Sequence, residues 1–324
     1  MPKVYYNRVL TEQMVDVIRD PEFSWIIDYV KDHNELDFQT GSNKKNTWFS
    51  VYRGTGRVLS ILPDRKLSAA DAYKNLLPEF YSEGNLTAEN FDKLLNRIAD
   101  CEKLGRYYIN AKGVKKEGYY QGLIGRRYTI DNLGKDDDEF IIIDKEFVIG
   151  FAKEEDKHDW NMAIENEISD IINTARAELS DESLPKVISS RYGEFDFLGL
   201  NWQGDIIIME LKQDDPVKTY LSPLQIAYYN KQLNKLKDEM KEELYQNIKM
   251  MIEQKRDLGI LNIPRDIPEK FSGRILNYLI VGEEDKLSRT VCNRFKRIRN
   301  IVGLEIEAFT CDAEGKLIPS QKLN

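Results

Sequence analysis

The stretch from Glu194 to Lys212 constrains the fold more than any other: Ile206-Ile207-Ile208-Met209 is an uninterrupted apolar run that ends in Glu210-Leu211-Lys212. A strand with no polar face is covered on both sides of its sheet. Upstream, Phe195 and Phe197 alternate with Glu194 and Asp196, and the polar segment from Asn201 to Asp205 carries the turn residues that join the two runs into a hairpin. Side chains alternate along a strand, so Glu210 and Lys212 share one side, and Asp196 on the partner strand can face the same spot. Charges at the exit of a buried strand are costly unless they pair or hold a cation. A metal site with an attendant lysine is the economical explanation.

Asp196 followed by Glu210-x-Lys212 on a hairpin resembles the PD-(D/E)XK nuclease superfamily, the fold of many restriction enzymes and RecB-type nuclease domains. Phe195 stands where the motif often has proline. The resemblance implies an α/β fold with a restriction-endonuclease-like core, a mixed central sheet flanked by helices, from about residue 155 to the end. It also implies hydrolysis of phosphodiester bonds in a nucleic acid, with DNA the expected polymer, and it is compatible with a homodimer. Asp196 and Glu210, with the Leu211 carbonyl, would hold Mg2+ or Mn2+ in a cage of hard oxygens. Lys212 would orient or deprotonate the attacking water, and its removal is expected to spare the fold.

The order of elements supports the same resemblance. Trp160 to Leu179 is helical by pattern, with Ile164, Ile168, Ile171, Ile172 and Ala175 on one face. Val187 to Tyr192 reads as a strand ahead of the hairpin. After the loop Asp214-Asp215-Pro216, a long helix is expected from Ser222 to about Asp257, capped by Ser222 with Pro223 in its first turn. Arg274 to Val281 reads as a strand, Asp285 to Arg299 as a basic amphipathic helix and Gly303 to Thr310 as a last strand. Helix, three strands, helix, strand, helix, strand is the core order of the superfamily.

Many members place a metal-binding glutamate on the first of these helices. Glu165 and Glu167 both flank its apolar face; Glu165, three residues before Ile168, is favoured, and a solvated acidic helix explains either equally well. Gln225-x-x-x-Tyr229 is similar to the Gln-x-x-x-Tyr motif of RecB-type nucleases, where an amide and a phenol on one helix face would hold a nucleotide or brace the catalytic loop. Ser222-Pro223-Leu224-Gln225 is equally a capping box. Glu194 reads as a salt-bridge partner before it reads as a further ligand.

At 324 residues and 41% hydrophobic content the chain has room for two domains, a smaller α+β accessory domain over 1–152 and the nuclease-like domain over 153–324. In the first, Thr47 to Leu62 alternates as a hairpin, Ser68–Phe80 and Thr87–Leu104 read as helices, and Tyr119–Ile130 and Glu139–Phe151 as strands. No apolar run reaches membrane-spanning length, and Met1 to Tyr6 lacks a signal-peptide core. Cys101, Cys292 and Cys311 are too scattered for a disulfide framework, so a reducing cytoplasm is the expected setting. His33 and His158, the two histidines, read as surface residues rather than ligands.

The net charge of −8 opposes a polyanionic partner unless basic surface is local. The places to look are Arg294, Lys296, Arg297 and Arg299, then Arg126-Arg127, Lys112 with Lys115-Lys116, and Lys44-Lys45. The rival reading is a catalytically inactive nucleic-acid-binding or assembly module of the same fold. A different two-carboxylate hydrolase is the third.

Overall fold

The computed structural model describes residues 4–43, 46–131, 139–179, 194–213, 215–263 and 265–324. The architecture is mixed α/β in two compact units, one formed by Met1–Asn7, Glu139–Asn247 and Ile267–Asn324, the other by Arg8–Asp138 and Ile248–Asp266.

Strand β1 (Val4–Tyr5) opens the described chain and is followed by helices α1 (Glu12–Arg19) and α2 (Pro21–Asp32). An antiparallel four-stranded sheet then runs in order through β2 (Asp37–Ser42), β3 (Thr47–Arg53), β4 (Gly56–Ile61) and β5 (Leu67–Ser68). Helices α3 (Asp71–Lys74), α4 (Ala88–Asp100) and α5 (Glu117–Arg127) complete this part of the chain. Met14, Ile26, Val30, Phe49, Leu59, Phe80 and Phe91 form the heart of the core. Local chemistry starts the helices: Thr11, Asp20 and Thr87 each accept a hydrogen bond from a backbone N–H of the first turn, and Pro21 sits where a missing N–H does no harm.

The other unit is built on a six-stranded sheet. Its elements are β6 (Phe140–Val148), β7 (Gly150–Phe151), α6 (Glu154–Leu179), β8 (Glu194–Asn201), β9 (Ile206–Lys212), α7 (Pro216–Met240), β10 (Ile275–Val281), α9 (Arg289–Val302), β11 (Glu307–Cys311) and β12 (Leu317–Pro319), with α8 (Glu242–Asp257) following α7. The strand order is β12-β11-β10-β9-β8-β6. β6, β8 and β9 are antiparallel neighbours, β10 and β11 run parallel to β9, and β12 returns antiparallel. β1 pairs with β7 outside this sheet. Every residue of β9 is buried, as its apolar run requires. Helix α7 packs on β9 and β10 and against α6 and α9. No helix among the described residues is long and apolar enough to cross a membrane.

Several expectations are corrected. The division at 152/153 does not hold, because β6 pairs with β8 along its length and so belongs with the site-bearing sheet. The strand expected at Val187–Tyr192 lies outside the described residues; the third antiparallel strand is β6, which precedes helix α6. Tyr119–Ile130 is not a strand but falls largely in α5, whose glycines at 118, 122 and 125 recur at helical spacing. Ser68–Phe80 contains only the single turn α3 and the start of a 3-10 turn at Pro78–Tyr81. The long helix starts at Pro216, capped by Asp215, and breaks at Lys241, where φ is +51°.

Candidate functional site

The hairpin of β8 and β9 sets the site. Asn201 Oδ1 accepts from the N–H groups of Gln203 and Asp205, and Gly204 takes φ +83°, which fixes the turn and therefore the register. Leu198 faces Ile208 and Phe197 faces Met209, so the next position along places Asp196 opposite Glu210. There the Asp196 carboxylate accepts the Leu211 N–H at 2.6 Å. Glu210 and Lys212 lie on one side of β9 as alternation requires, and Lys212 Nζ donates to Glu210 Oε1. Both are buried, at 3% and 6% exposure, whereas Asp196 is half-buried. At the strand exit, Gly282 N–H donates to the Lys212 carbonyl at 3.1 Å and Gln213 Nε2 donates to Glu283, which is itself bound by Lys286.

Two carboxylates and an ammonium thus meet at the end of a buried strand, with the Leu211 carbonyl between them in sequence. Hard oxygen donors of this kind suit a small divalent cation that keeps part of its water shell. Among the described residues no group of three or more Asp, Glu, His or Cys side chains is placed to hold a metal ion. Glu165 is therefore not gathered with Asp196 and Glu210. Its charge acts instead on Tyr228, whose phenol is pushed up to about 12 by burial first and by Glu165 second, and which donates to Asn161 Oδ1 at 3.1 Å. Glu167 pairs with Lys231 of α7 at 3.1 Å on an exposed surface.

Gln225 and Tyr229 do come together. Gln225 Nε2 donates to the Tyr229 hydroxyl at 2.7 Å, and that hydroxyl donates to the Glu194 carbonyl at 2.7 Å. The Tyr229 ring lies 5.4 Å from Phe195, which stacks on Phe147 of β6 at 4.4 Å. Helix α7 thereby holds the start of β8 two residues before Asp196. The capping-box alternative is overturned: Ser222 and Pro223 lie inside α7, and Ser222 Oγ donates to the Thr219 carbonyl, the group that Pro223 cannot bond. Glu194 itself is exposed, its backbone doing the bracing.

One carboxylate was not anticipated. Lys145 faces Phe197 and Phe147 faces Phe195, so Glu146 between them is level with Asp196 on the neighbouring strand. Its φ of +51° is unusual for a residue with a side chain. Reading Glu139–Phe151 into a different domain hid it.

The basic clusters fare unequally. Arg126 and Arg127 are buried, and the Arg126 guanidinium donates to the carbonyls of Val30 and Lys31 at the end of α2 and of Leu36 just before β2, and pairs with Asp131. On α9, Arg294 lies over the Tyr220 ring, Lys296 reaches the Asn324 carbonyl, Arg297 the Glu178 carbonyl and Arg299 the Ile306 carbonyl. Lys44-Lys45 lies outside the described residues, and Lys112 and Lys115 are exposed. No family model, curated protein or solved structure matches this chain.

Proposed function

We propose that the chain is a metal-dependent nuclease of the PD-(D/E)XK type, hydrolysing phosphodiester bonds, with DNA as the first substrate to test. The observation that carries this reading is the buried Glu210 and Lys212 pair at the end of β9, with the Asp196 carboxylate of the adjacent strand accepting the N–H of Leu211 between them. The sheet supports it at a coarser level: an antiparallel trio, β6, β8 and β9, extended by parallel β10 and β11 through helical connections, is the plan expected of a restriction-endonuclease-like core.

Asp196, Glu210 and the Leu211 carbonyl would hold Mg2+ or Mn2+, with water completing the shell. When bound, the ion supplies a hydroxide near neutral pH and polarises the phosphoryl oxygens. Lys212 donates to the attacking water and offsets charge that develops on phosphorus oxygens, an interaction strengthened by its low exposure. Tyr229 and Gln225 act as positioning residues, through β8 and not on a nucleotide.

The mutual neutralisation of Glu210 and Lys212, with no three-acid group among the described residues, favours a second reading, a binding module that keeps the fold without the chemistry. Cleavage separates the two. Supercoiled, linear and single-stranded DNA and RNA are incubated with Mg2+, Mn2+ or chelator, comparing the natural chain with Asp196→Asn, which keeps an acceptor for the Leu211 N–H. Metal-dependent cutting that disappears in the variant at unchanged thermal stability is the expected result. No cutting of any substrate, or cutting that survives the substitution, replaces the nuclease with the binding module.

A further inference from the structure

Residues 103–116 carry Lys103, Arg106, Lys112, Lys115 and Lys116 and no Asp or Glu, in a chain whose net charge is −8. Lys103, Arg106, Lys112 and Lys115 are exposed. Tyrosines are interleaved with these cations. The Arg106 guanidinium lies 4.7 Å from the Tyr107 ring centre, Arg53 4.6 Å from Tyr108, and the Lys115 ammonium 4.4 Å from Tyr119. Tyr108 and Tyr119 are themselves 5.3 Å apart, so Arg53, Lys115 and these two rings adjoin, with Glu35 3.8 Å from Arg53, while the Tyr107 ring lies 5.8 Å from Tyr73.

The backbone beneath is fixed. Asn110 Oδ1 accepts from the N–H groups of Lys112 and Val114 at 3.0 and 2.9 Å, Gly113 takes φ +74°, and Ile109 bridges Lys115, which makes a tight turn that presents Lys112 and Lys115 outward. Behind it, the Tyr107 carbonyl accepts the Thr55 N–H at 3.3 Å. A Cβ added at Gly54 or Gly118 would lie 2.1 Å from that carbonyl oxygen, so the β3–β4 turn, Tyr107 and α5 interlock.

Like charges held close on a rigid turn repel one another, a cost that an anionic partner removes. Rings spaced between the cations favour one anion over others. Along a single nucleic-acid strand phosphates alternate with bases whose faces stack on aromatic side chains, whereas an acidic protein surface has no use for the rings. We propose that this surface binds single-stranded nucleic acid, with phosphates on Arg106, Lys112 and Lys115 and bases against Tyr107, Tyr108 and Tyr119. The inference deepens the nuclease reading, and rests on it only in naming the substrate's form.

The test uses the full chain carrying Asp196→Asn, in chelator, titrated against fluorescent deoxythymidine and uridine homopolymers and a DNA duplex by anisotropy. Lys112→Glu/Lys115→Glu is expected to weaken strand binding at least tenfold and to flatten the dependence of log K on log salt by about 1.4, from about 0.7 per phosphate contact on a single strand. The control Lys74→Glu/Lys93→Glu, two exposed lysines of the same unit, should stay within twofold, with both variants melting as the parent does. Tighter binding of either homopolymer than of the duplex supports the proposal. Duplex binding tighter than either homopolymer, equal loss in the control, no strand binding by the parent, or displacement by polyglutamate as effective as by the strand would each overturn it. Binding lost on charge reversal in a chain that cuts nothing removes the nuclease reading alone; cutting by the natural chain with binding indifferent to the reversal removes this one alone.

Discussion

Lys212 illustrates how a site residue changes meaning once its surroundings are known. From sequence its removal looks harmless to the fold, but at 6% exposure beside Glu210 at 3% its loss would take an ammonium away from a buried carboxylate. Lys212→Ala is predicted to lower unfolding free energy by about 3–5 kcal/mol, while Glu210→Gln/Lys212→Met, which removes both charges together, loses far less. Urea midpoints measure both, and equal midpoints would mean the pair is solvated. Glu307 makes a pH-dependent case. Although the residue is exposed, partial desolvation on the strand, then Glu305 and Glu139, pushes its carboxyl above the ordinary glutamate range. The ionised form is therefore disfavoured in the fold, and the group's stabilising contribution, complete below its unfolded pKa, is lost as pH rises through the raised value. Glu307→Gln should accordingly raise the melting temperature at pH 7 and leave it unchanged near pH 3.5; a gain at both values would point to a cause other than charge.

At the scale of elements, α5 gives a paired prediction. A Cβ at Gly118 would sit 2.1 Å from the Tyr107 carbonyl oxygen and 2.6 Å from Thr55 N, whereas at Gly122 the nearest atom, Gly54 N, is 4.0 Å away. Gly118→Ala should destabilise by about 1–3 kcal/mol through overpacking, and Gly122→Ala should stabilise by up to about 1 kcal/mol through helix propensity. Opposite signs in thermal unfolding would confirm that the first glycine serves contact and the second only tolerates it. The same helix shows why part of the fold was illegible. Its tyrosines and glycines suggest a strand by composition, and only the close approach of Tyr107 and the β3–β4 turn explains Gly118. Helix α7 was expected from Ser222-Pro223, with Asp214-Asp215-Pro216 as a loop, yet Asp215-Pro216 is the same local pattern of a capping residue before a proline. Local pattern cannot choose between them; the Asp215 side chain accepting the Lys218 N–H decides it. The hairpin of β8 and β9 was legible because its apolar run, turn residues and alternating partner strand agree. That agreement put Asp196, Glu210 and Lys212 at one end of the hairpin, whereas the position of Glu146 beside Asp196 had no local mark because it comes from pairing with a distant strand.

For the whole molecule, the strand β6 decides where the chain divides. A fragment of residues 153–324 would lack the partner that pairs β8 from Glu194 to Asn201, leaving Phe195, Phe197, Leu198 and Leu200 on an open edge. That fragment is predicted to aggregate in size-exclusion chromatography and to lack cooperative unfolding by circular dichroism; a monomeric, cooperatively folding product would contradict it. Sequence could not place the division, since strand order within a sheet is set by contacts between remote segments. Tyr6 shows how remote. Its ring stacks on Phe147 at 4.4 Å, its hydroxyl donates to Asp144 at 2.7 Å, its N–H reaches Met240 Sδ at 3.2 Å and its carbonyl accepts from Asn247 Nδ2 at 3.0 Å. A chain is made from its amino end at roughly 5–20 residues per second, so Tyr6 is made on the order of ten to fifty seconds before Asn247 and cannot complete these contacts until that segment follows. Tyr6 is made before every one of these partners, yet its place is complete only when the last of them has been added.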